Sequence, residues 1–284
     1  MLFAPVCELQ SVGDNYGATF TEAGLGTGLT ASATANTKGS VVSLLAGASV
    51  PFDVYGVGIT FFGGSASATV RRYLTDIVID PAGGTTWDTT NPICPNLLAN
   101  SPALVCGGWR YFFPLYVKAG TSFGARTQCS AASAALRCAI QLYGQPTHPE
   151  NWRTGTRVIA FGVNTATTSG TAVTVGSGAI GSYTLMGATA RELWWWQWGG
   201  IASNDTTMGL DACMGDVATG DGTTFKLCVD SCMQNKTAAE QAGKEAFGLR
   251  VPIREVASGA NVYVRVSNTS AGDTTPTTTA YGLG

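Results

Sequence analysis

The chain holds a single histidine, His148, among 284 residues, so a hydrolase built on a Ser-His-Asp or Cys-His arrangement would have to use it. It stands in the Pro-rich stretch GQPTHPE, with no G-x-S-x-G nucleophile elbow nearby. Carboxylates are the next candidates, because glycoside hydrolysis runs on two Asp or Glu side chains flanking one bond. Asp76, Asp80, Asp211 and Asp216 are the clustered ones. Asp76 and Asp80 fall on one strand face, and Asp80 precedes Pro81 as a turn former does, so a structural role outweighs a catalytic one. Asp216 and Asp221 in GDVATGDG lack the EF-hand spacing for calcium and read as a hairpin turn. Despite 37 glycines, no Walker A or dinucleotide fingerprint stands between a strand and a helix. The expectation is no enzyme, no cofactor, and no catalytic or metal-binding residue.

Thiols are the other reactive groups, and there are eight. The one close pair, Cys228 and Cys232 in CVDSC, has no second close pair to complete a four-ligand zinc site. Disulfides are the alternative. In RTQCSAASAALRCAI, Cys129 and Cys138 lie symmetrically about a turn of small residues, and directly opposed residues of an antiparallel pair come within disulfide range. Cys213 and Cys228 repeat that arrangement, and Cys94 and Cys106 would close the loop between them. Cys7 and Cys232 remain as candidates for cross-links between subunits. The competing reading leaves all eight as buried thiols, because the compartment of synthesis is reducing.

The elements that would position these groups come in two copies. GTTW at Gly84 recurs as GTTF at Gly222, PLYVKAGTSFGAR at Pro114 as PIREVASGANVYVR at Pro252, and Tyr143-Gly144 as Tyr281-Gly282, each 138 residues apart. Upstream, matching the pairs Gly63-Gly64 and Gly199-Gly200 sets Trp198 opposite Phe62 and Trp195 opposite Ile59. Within each copy the pattern is that of strands: TVRRYLTDIVID and NVYVRVSN are rich in β-branched and aromatic residues and end at turns. The expected architecture is all-β, two tandem antiparallel β-sandwiches of jelly-roll type related by duplication. An extended N-terminal arm covers 1–36, the first sandwich 37–145, a linker 146–160 and the second sandwich 161–284. The arm is poor in large side chains and is expected to gain order on a neighbouring subunit. One insertion, 237–247, has helical character, with Thr237 and Glu240 in capping-box spacing.

RELWWWQWGG places Trp194, Trp195, Trp196 and Trp198 within five positions, and alternation along a strand makes both faces aromatic. A sandwich strand with one solvated face needs only one apolar row. The extra row predicts a cover, either the first sandwich or a neighbouring subunit, with a glycan platform as the alternative.

Composition narrows the partners. Only 12% of residues are charged, the net charge is −2, and no basic stripe offers itself to phosphates, so nucleic acid is not expected. No apolar run is long enough for a membrane span, and the start MLFAPVCELQ lacks the marks of a secretory signal, which points to synthesis in the cytoplasm.

With DPAGGTTW, NLLA, WRYFFPLYVKAGTSFGAR and IQLYGQP in the first copy, and LWWWQWG, ANVYVRVS and AYGLG in the second, the chain resembles virion structural proteins of tailed bacteriophages. The resemblance implies a multi-copy, non-enzymatic component of the particle: a head decoration, a neck or collar protein, or a tail attachment. Its partners would be itself, three copies being the expected order, and other virion proteins. The alternative is a carbohydrate- or receptor-binding protein that meets a host glycan through an aromatic surface.

Overall fold

A computed structural model describes residues 10–13, 26–62, 71–101, 109–145, 153–163, 170–177, 179–202, 212–234, 255–268 and 277–284. Among these residues the chain is all-β, and no helix is long and apolar enough to cross a membrane. The strands of the first half are β1 (Gln10–Gly13), β2 (Thr27–Thr30), β3 (Val42–Leu45), β4 (Asp53–Phe62), β5 (Arg71–Asp80), β6 (Cys94–Ser101), β7 (Trp109–Phe113), β8 (Ser122–Cys129) and β9 (Ala135–Gln145). Those of the second are β10 (Val158–Phe161), β11 (Thr171–Ala172), β12 (Val175–Ser177), β13 (Thr184–Ala188), β14 (Trp195–Ala202), β15 (Ala212–Gly220), β16 (Phe225–Gln234), β17 (Asn261–Asn268) and β18 (Thr277–Leu283).

Alternation decides which face each strand buries. On β17, Val262, Val264 and Val266 enter one hydrophobic cluster while Tyr263 and Arg265 take the other face. On β8, Phe123 and Ala125 are core, and Gly124 and Arg126 face away.

Four sheets result. In the first sandwich, β2-β9-β4-β7 opposes β3-β8-β5-β6, which is the eight-strand order of a jelly roll. In the second, β10-β18-β14 opposes β13-β17-β15-β16. The same pairings therefore occur in the same chain order: β4 with β9 and β14 with β18, β5 with β8 and β15 with β17, β5 with β6 and β15 with β16. The helical insertion expected at 237–247 lies outside the described residues.

Three expectations are corrected. The segment expected as an arm contributes two strands to the first sandwich, since β1 pairs with β9 at Gln10–Gly13 and β2 pairs with it at Thr27–Thr30. Backbone hydrogen bonds, with the buried Leu29 as the apolar anchor, do what its small side chains cannot; full burial of one leucine is worth about 1.5–3 kcal/mol. The end of the expected linker, 146–160, is already strand: β10 joins the second sandwich. The register drawn between the copies also shifts. Tyr143 lies opposite Gly56 and Tyr281 opposite Gln197, so matching the two tyrosines sets Gln197 against Gly56 and not against Phe61. Ile59 is core of its own sandwich, whereas Trp195 faces out of its sandwich.

Candidate functional site: the seam between the sandwiches

The two sandwiches share a core. Trp194, Trp195, Tyr281 and Leu283 of the second belong to the hydrophobic cluster of the first. They come from the outer face of the sheet β10-β18-β14, where Trp195 sits opposite Leu283 and Gln197 opposite Tyr281. That face closes the end of the first sandwich where β6 and β7 are the edge strands. Phe112 and Trp195 meet edge to face at 6.3 Å, and the Tyr281 ring stands at 87° to Tyr111, 5.4 Å away.

Edge strands expose unpaired backbone groups, and here side chains from the second sandwich satisfy them. On β7, the Gln197 carboxamide accepts from the N–H of Phe112 at 3.3 Å and donates to the carbonyl of Arg110 at 3.4 Å. On β6, the Tyr281 hydroxyl accepts from the N–H of Leu98 at 2.7 Å and donates to the carbonyl of Asn96 at 2.9 Å, with Thr279 Oγ1 2.8 Å away. The Tyr111 hydroxyl donates to the Leu98 carbonyl and has the Gly199 carbonyl of β14 at 3.1 Å. Burial pushes both phenols above their ordinary value, so each keeps its proton for these bonds. At the lower rim the N–H of Val158 donates to the carbonyl of Ile93, and Arg157 donates to Pro92 and Asn91.

The other face of β14 fills its own sandwich. Trp196 stacks on Phe161 at 5.7 Å, and Trp198 donates through Nε1 to Thr278 Oγ1 at 2.7 Å. Gly215 on β15 makes room for it, because a Cβ there would run into the indole. None of the four tryptophans is more than 6% exposed.

The outward faces of β5 and β15 carry matching ion pairs. Asp76 lies opposite Arg126 and Asp216 opposite Arg265, in the same strand pair of each sandwich. Asp76 binds Arg126 Nε and Lys38 Nζ at 2.9 Å each and accepts from the N–H of Asn96. Burial alone would raise the Asp76 carboxyl, but Lys38, the Asn96 amide and Arg126 together hold it below its ordinary value. Burial pushes Lys38 down to about 8 against the pull of Asp76, which leaves it charged at neutral pH.

No family model matches the chain, and no curated protein matches it in sequence. Among solved structures it is similar over 97% of its length to PNGF-II, at 8% identity and a TM-score of 0.40, and it spans 65% of that chain. Over 98% of its length it is similar to the STIV MCP, at 7% identity and a TM-score of 0.35, covering 96% of that chain. A third likeness, over 89% of its length, is to the cowpea mosaic virus top component, naturally occurring empty particles, at 9% identity and a TM-score of 0.33, covering 92% of that chain.

The residues singled out by chemistry divide as follows. Asp80 accepts from the N–H groups of Ala82 and Thr86 and holds a turn. Asp221 does the same for Thr223 and Thr224. His148 and Asp211 lie outside the described residues, as do Cys7 and Cys106. The expected disulfides are corrected: Cys94, Cys129, Cys138 and Cys228 are buried thiols. Cys129 ends β8, opposite Tyr73, while Cys138 is on β9, opposite Phe61 and Thr27, so the turn between them crosses from one sheet to the other. Cys213 lies opposite Met233, and Cys228 falls at a bulge beside Val217 and Ala218, far down the strand from it. Cys94 lies opposite Ile77, and Cys232 pairs through its backbone with Met214. Gln197 and Tyr281, which cap the two edges, were missed as functional residues; their signal was a polar group at the centre of an aromatic strand and a tyrosine in the last one.

Proposed function

We propose that the chain is a non-enzymatic structural protein of a virion, of the tailed-phage kind that the motifs of both copies resemble. It acts as a homo-oligomer that decorates or connects head, neck, collar or tail and contacts other virion proteins there. The seam carries this reading: the outer sheet of one jelly roll plugs the open end of the other through a shared core and capped edges. That makes one stiff block from two sandwiches, which is what a part held between neighbours in a shell or appendage requires. Jelly rolls serve both viral capsids and lectins, so the fold alone does not choose between them. Burial of Trp194, Trp195, Trp196 and Trp198 favours the first use, because a glycan platform needs ring faces open to solvent. We further read the repeated strand order and the equivalent pairs Asp76–Arg126 and Asp216–Arg265 as marks of duplication, with units at 37–145 and 161–284.

Quantitative mass spectrometry and immunogold labelling of purified particles test the role. The expected result is a fixed copy number per particle and label at one place on it. Particles that lack the chain, or a purified chain that binds or cleaves glycans as a monomer, would overturn the reading.

A further inference from the structure

We draw no further inference here: the strongest candidate, the exposed apolar patch around Leu185 and Leu227 on the outer face of β13-β17-β15-β16, is a bare sheet face, and nothing in the structure shows what covers it.

Discussion

Replacing Tyr281 by phenylalanine removes one oxygen from the seam and little else. The ring keeps its packing against Tyr111 and Phe113, so any loss is due to the hydroxyl. That hydroxyl is the partner of the Leu98 N–H and the Asn96 carbonyl on the edge of β6. Leu98 is fully buried, and an N–H stranded there costs about 1–3 kcal/mol. The carbonyl adds less, because Asn96 is only half-buried, so the variant should lose about 2–3 kcal/mol. For a chain of this size 1 kcal/mol moves Tm by about 2–4 °C, which puts the expected drop at about 5–10 °C. Differential scanning calorimetry measures it, and tryptophan fluorescence followed during the melt shows whether both sandwiches go together. Tyr143→Phe, on β9 of the first sandwich and half-buried, is the control and should stay within about 0.5 kcal/mol. If Tyr281→Phe melts within about 1 °C of the wild type, or if two transitions appear and only one moves, the seam does not bind the sandwiches as described.

Gly215→Ala should lower Tm by several degrees in the same assay, because the added methyl meets a buried indole that cannot retreat; overpacking of this kind costs about 1–3 kcal/mol. Asp76→Asn leaves Lys38 and Arg126 facing each other without their acid and should cost about 3 kcal/mol or more. In the wild type the folded Asp76 carboxyl titrates below its ordinary 3.8, so the unfolded chain takes up the proton first. Its contribution is complete above about pH 4 and is lost as pH falls further, and a urea midpoint measured against pH should show a shallower acid loss in Asp76→Asn. Cys94, Cys129, Cys138 and Cys228 should resist Ellman's reagent in the native protein and all react once it is unfolded without reductant. Failure of any of the four to react would restore a disulfide.

Strand content was legible because β17 and β5 write their alternation in Val, Ile and Tyr. What failed was connectivity between sheets. RTQCSAASAALRC reads as strand, turn, strand whether the turn stays within one sheet or crosses to the next, and here it crosses, from β8 to β9. The disulfide expectation fell with that assumption. β2 escaped notice because TGLT has one apolar residue, and its place is set by backbone pairing. Gln197 gave no sign that its partner was the edge of a strand 85 residues earlier.

The closing of the first sandwich by Tyr281 and Leu283 has a consequence for how the protein is made. Its last strand of sheet, β9, ends at Gln145, yet the residues that seal its open end, Tyr281 and Leu283, belong to β18. A ribosome adding about 5–20 residues per second needs roughly 7–28 s to travel between them. During that time the nascent chain carries a sandwich with a bare aromatic end and two uncapped edges, which is when a chaperone would find it. Loss of β18 would therefore damage the first sandwich as surely as the second.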